Sequence, residues 1–131
     1  MKSVLNLGLT FLFTLILFTN SFPAEAAKSS TLKNNVIELN LINGINSDNS
    51  GLKLSSINLA GDLKAGGSVI DLLKVFNSNA NEKVRGAAAL SLVKIGDGRG
   101  IKAIEYASRF DESQYVKNLC KTFYSYHKKN K

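Results

Sequence analysis

Between Glu82 and Phe110 apolar residues recur at helical spacing in two short runs separated by a glycine-rich turn. In the first run Val84, Ala87, Ala88, Leu90, Leu92 and Ile95 follow this spacing with no proline to interrupt it, which predicts a helix over 82–95. Ala87-Ala88-Ala89 adds the best helix former and lets a neighbouring backbone come close. Gly96 tolerates the positive φ that a helix end often needs, and Asp97 can cap the helix that follows. Ile101, Ile104 and Ala107 form the second apolar stripe. Two such helices bury only one face against each other, so their outer faces need further layers.

The chain supplies those layers at a constant step of 32 residues. Leu52-Lys53 falls on Val84-Arg85 and then on Val116-Lys117. Ser55-Ser56 falls on Ala87-Ala88 and then on Leu119-Cys120, and Leu63 falls on Ile95. In the other helix of each pair Val69 falls on Ile101, Leu72 on Ile104 and Leu41 on Leu73, while Asn79 matches Asp111 in the polar turns. Small, apolar and basic positions that agree at one spacing indicate repeated helical hairpins. The first predicted helix is Val36 to Gly44, capped by Asn34 or Asn35. A helix over 51–63 follows, capped by Asp48 or Ser50, and another over 69–76, capped by Ser68. The last runs from Gln114 to His127, with Asp111 or Ser113 as its cap.

The central unit resembles the HEAT-like repeat in the short form found in the phycocyanobilin lyase group. The resemblance is carried by Val84-Arg85, Ala87-Ala88, Leu90, Leu92, Ile95-Gly96-Asp97 and Gly100-Ile101, and is partial in the flanking units, where Ser55-Ser56 replace the paired alanines and Lys64 replaces the glycine. It implies an all-α fold: an α-solenoid of about three antiparallel helix hairpins in a right-handed superhelical stack. It also implies a protein-binding surface, and it does not imply lyase activity. Repeats are expected at about 34–63, 68–95 and 100–127 within a domain spanning 34–127. Arg85, Gly96, Asp97 and Gly100 read as repeat-structural residues, with Arg85 expected to meet the acidic residue of an adjacent turn.

The first 26 residues read as something else. Lys2 precedes an apolar run from Val4 to Phe18, and Ala24-Glu25-Ala26 places small residues where a signal peptidase cuts. The run of 15 residues is shorter than the ~20 that span a bilayer. Export of a bacterial protein to the periplasm or beyond, with cleavage near Ala26, is the expectation. Residues 27–33 then form a flexible leader and 128–131 a basic tail.

Seventeen basic against ten acidic residues give a net charge of +7, spread along the repeats. Spread positive charge attracts anionic partners from a distance. Nucleic acid is a poor expectation, because no binding motif is present. Catalytic and metal sites are not expected either, since the chain has one cysteine, Cys120, and one histidine, His127. The glycines around Asp97 lack the lysine-serine pair of a phosphate loop and the length of a calcium loop. Cys120 reads as a small core residue.

Shape therefore carries the functional expectation: a non-enzymatic binding module without cofactors. The second helices of the pairs would line one surface, with Lys53, Asn58, Lys83, Lys94 and Lys121 as contact residues for an acidic peptide or protein. The alternative is an envelope-associated module that binds anionic lipid or polymer. Tyr115, Phe123, Tyr124 and Tyr126 on the final helix either seal the end of the stack or form an interface, so monomer and homodimer both remain open.

Overall fold

The computed structural model describes residues 24–78 and 81–130. The predicted signal peptide lies almost wholly outside them, as does Asn79. The chain divides into two units, Met1–Asn35 and Val36–Lys131. Of the first, the described part is the opening of a helix; the packing and the site described below are those of the second.

The described residues are all-helical. Six α-helices follow one another: α1 (Ala24–Ile45), α2 (Ser50–Asp62), α3 (Val69–Ser78), α4 (Glu82–Ile95), α5 (Gly98–Phe110) and α6 (Gln114–Lys129), with a 3-10 turn over Gly66–Ser68 leading into α3. The expected step is visible in the element starts. Ser50, Glu82 and Gln114 open α2, α4 and α6 at intervals of 32, and so do their caps, Asn49, Asn81 and Ser113. Each cap accepts hydrogen bonds from orphan amides of the first turn: Leu52 N to Asn49 Oδ1 at 2.9 Å, Lys83 N to Asn81 Oδ1 at 3.0 Å, and Val116 N to Ser113 Oγ at 3.2 Å. Asp97 caps α5 in the same way, accepting from Arg99 N at 2.9 Å.

Three expected caps are corrected. α2 is capped by Asn49, between the two residues nominated for it. Ser68 caps nothing: its hydroxyl is buried without a hydrogen-bond partner, and the 3-10 turn enters α3 instead. Asn34 and Asn35 lie inside α1, because helix formation continues upstream to Ala24 through the alanine-rich 24–27 stretch.

Packing gives a stacked arrangement. α4 lies in the middle, flanked by α2 on one side and α6 on the other, while α3 and α5 pack behind them. Ile57, Leu72, Phe76, Leu92, Ile104 and Val116 fill the core with essentially no exposure. Burying such side chains contributes ~2 kcal/mol each. Glycines inside helices set how closely neighbours approach. A Cβ on Gly61 of α2 would lie 2.8 Å from the Ser91 Cα of α4, and one on Gly44 of α1 would lie 2.8 Å from the Ser56 Cβ of α2. Where α2 and α4 meet, the Ser91 hydroxyl donates to the Ile57 carbonyl at 2.8 Å.

The register also shows how α6 differs from α2 and α4. Ile57, Ala89 and Lys121 are equivalent, and the first two are fully buried while Lys121 is exposed. Gln114, Asn118 and Ser125 share the exposed side of α6 with it. At Lys121 that side of α6 is polar where the equivalent positions of α2 and α4 are apolar and buried. The aromatic residues of α6 do other work: Phe123 and Tyr124 are half-buried against the core, while Tyr115 and Tyr126 stay exposed.

Candidate functional site

A groove lies where the C-terminal ends of α3 and α5 come together beside α4. α5 turns Ile104, Ala107 and Ser108 inward. Tyr106 and Phe110, four residues apart and off that stripe, therefore stand on its outer side. They are 67% and 62% exposed, and their rings sit 4.9 Å apart at 44°. Neither was among the residues that the sequence singled out. The available signal was two rings at helical i,i+4 spacing on the face away from the core.

Arg85 fills the floor. It projects from the first turn of α4, and its Nε donates to the Phe76 carbonyl at the end of α3, 2.7 Å away. Its Nη2 pairs with Asp111 Oδ2 in the turn before α6, and its guanidinium lies 5.6 Å from the Phe76 ring centre. The other Asp111 oxygen accepts from Ser113 N at 2.9 Å. One guanidinium thus ties three elements together; the repeat resemblance implied only its meeting with the acid of an adjacent turn. Both side chains are mostly buried, so removing one would leave the other's charge uncompensated. Lys53 and Lys117, at the equivalent positions, form no ion pair among the described residues.

Above this floor opens a groove of about 510 Å³, walled by Phe76, Asn77, Tyr106, Phe110 and Glu112. Glu112 is exposed and has no ion-pair partner among the described residues. The positive charge of Arg85 is matched by Asp111. Carbonyl ends of α3 and α5 and amide ends of α4 and α6 meet here, so their opposite poles offset, and Glu112 supplies the net local charge. A smaller hollow of about 240 Å³ lies on the far side of the ring pair, bordered by Lys102, Glu105 and Arg109. There Arg109 and Glu105 pair at 2.9 Å.

The residues expected to meet a partner do not all share a face. Asn58, Lys83 and Lys94 lie together on the exposed side of α2 and α4. Lys94 Nζ sits 2.7 Å from Asp62 Oδ1, so its charge is matched across the two helices. Lys53 is half-buried in the register of Arg85, and Lys121 lies on the outer side of α6. Gly96 adopts the left-handed conformation, φ 78°, and Asp97 is held by the fork of Arg99, whose hydrogen bonds keep its carboxyl at about 2. A Cβ on Gly100, which is buried, would lie 3.1 Å from Leu92 Cδ2.

Nucleophilic chemistry finds no support in this arrangement. Cys120 is fully buried, and burial, reinforced by the nearby Asp111 carboxylate, pushes its thiol up to about 12. A thiolate at neutral pH is therefore negligible. His127 lies two helical turns further along α6, about 10 Å by helix rise, too far to act as its base. Among the described residues no three His, Cys, Asp or Glu side chains are grouped to hold a metal ion. No described helix is long and apolar enough to cross a membrane.

No protein-family model, curated protein or solved structure matches the chain. The fold description is accordingly that of a generic stack of helix pairs.

Proposed function

We propose that this chain is a non-enzymatic helical-repeat scaffold that binds a protein or peptide partner through the groove beside Tyr106 and Phe110. The proposal includes the finer architecture of three HEAT-like hairpins and action outside the cytoplasm after loss of the first 26 residues. One observation carries it: two aromatic rings in mutual contact stand exposed on the rim of a groove of about 510 Å³, in a fold whose core is closed without them. Exposed aromatic pairs rimmed by polar groups are typical of contact surfaces. Large cavities on such scaffolds also gather at the junctions between elements.

A photo-crosslinking residue placed at position 106 in the native host tests it. The expected result is capture of one defined partner, lost when Phe110 is changed to alanine. Capture that persists unchanged in Phe110→Ala, or that is equal from position 58, counts against the groove.

A second reading places an acidic partner across α2 and α4. Lys83, exposed and without an ion pair among the described residues, favours it. Reversal by Lys83→Glu would then abolish partner recovery, and recovery would fall with salt.

A further inference from the structure

We propose that the groove over the Arg85–Asp111 pair is an anchor site for an arginine side chain presented by the protein partner. This rests on the reading of the groove as a contact surface, and it names the chemistry that the surface takes. The floor shows the principle already at work, because Arg85 is held there by a helix-terminal carbonyl, a carboxylate from the turn and an aromatic face. The rim offers two of these kinds of group one step further out. Tyr106 and Phe110 present ring surfaces, and Glu112 a carboxylate with no ion-pair partner among the described residues.

A guanidinium suits this set. Ring faces attract cations, and the delocalised plane of arginine stacks on them while donating in parallel to a carboxylate. A compact, strongly hydrated ammonium matches only part of it. An acidic side chain would meet Glu112. Asp111 neutralises the resident Arg85, so the groove itself does not repel a second cation. The net charge of +7 acts from further away and opposes the approach of a basic segment. Added salt screens that repulsion. Arginine binding should accordingly hold or strengthen as salt rises, opposite to the behaviour of an acidic partner on Lys83.

The test is a titration of the purified protein, followed by backbone amide NMR, with N-acetyl-arginine amide, its neutral isostere N-acetyl-citrulline amide, and N-acetyl-glutamate amide. Arginine should shift the amides of Tyr106, Phe110 and Glu112, with affinity at least about fivefold above citrulline. Glu112→Gln and Phe110→Ala should each weaken it about fivefold. Both side chains are exposed, so the fold is kept, and an unchanged circular dichroism spectrum verifies this. Equal binding of citrulline, shifts of the same amides by the glutamate probe, or no shift at these amides overturns the proposal. If position 106 still captures a partner while arginine fails, the groove reading survives and the anchor does not. If both fail, both fall.

Discussion

The seam between α2 and α4 and the seam between α4 and α6 hold the same register, one step of 32 apart, yet they place their small residues differently. In the first seam the glycine is Gly61, near the end of α2, set against the Ser91 backbone. In the second it is Gly86, near the start of α4, set against the side chains of Leu119 and Tyr115. Val93 stands where Gly61 would recur, and Leu54 stands where Gly86 would. Helices approach most closely where the side chains between them are smallest. The register thus decides which face of each helix meets its neighbour. The local size pattern decides where along the helix the two come closest, and whether backbone or side chain bears the contact.

The first seam should be the unforgiving one. In Gly61→Ala the added methyl meets backbone that cannot rotate away, at 2.8 Å from the Ser91 Cα. It also crowds the hydroxyl that donates to the Ile57 carbonyl. A loss of about 3 kcal/mol in unfolding free energy is expected from overpacking of this kind. Chemical denaturation measures it. A loss below about 1 kcal/mol would show that α2 and α4 slide apart freely, and the contrast between the seams would vanish.

Next in size is the lock at the second seam. Arg85 reaches from α4 to the turn that leads into α6, whereas Lys53, in the same register of α2, has no such partner among the described residues. Arg85→Lys keeps the charge but loses the fork, and with it either the Phe76 carbonyl or Asp111. A cost of about 2 kcal/mol is expected, against less than about 0.5 kcal/mol for Lys53→Met. Equal costs at the two positions would mean that the guanidinium contacts are incidental.

Much of this was legible before any coordinates. The step of 32, the middle position of the 82–95 helix, the left-handed Gly96 and the Asp97 cap follow from periodicity and turn chemistry, while the meeting of Arg85 with the acid of a neighbouring turn was implied by the repeat resemblance. The failures have physical causes. In the 46–51 turn nearly every side chain can cap a helix, so composition could not choose Asn49. Asn34 and Asn35 are poor formers but not breakers, and the helix ran past them. Gly61 and Gly86 are lone glycines within helical patterns, a signal of close packing that is easily lost beside the turn glycines. Tyr106 and Phe110 lie off the core stripe of α5, so the pattern of buried positions does not mark them.

Smaller effects are expected where the helices of the two seams end. Lys64 and Gly96 are equivalent and both left-handed, at φ 51° and 78°. A side chain in that conformation costs about 1 kcal/mol. Lys64→Gly should therefore raise stability by about 1 kcal/mol, and Gly96→Lys should lower it by about the same amount. Thermal unfolding of the two variants side by side reads the difference. Shifts of the same sign would show that the two turns are not the same device.

The smallest effect is expected at Gly86, and it is the sharper test of the contrast because two terms oppose. A methyl there would lie 2.7 Å from Leu119 Cδ1, the far end of a flexible side chain, with the Tyr115 ring next at 3.7 Å. Leu119 is only half-buried, so its tip can swing toward solvent at little cost. Replacing an interior helical glycine by alanine contributes up to about 1 kcal/mol in the opposite direction. Gly86→Ala should therefore change unfolding free energy by no more than about 0.5 kcal/mol, of either sign. Adding Leu119→Ala should remove the crowding and leave the propensity gain visible against Leu119→Ala alone. If Gly86→Ala instead costs as much as Gly61→Ala, Leu119 is fixed in place. Both seams are then rigid, and the size pattern along them has no bearing on how they tolerate change.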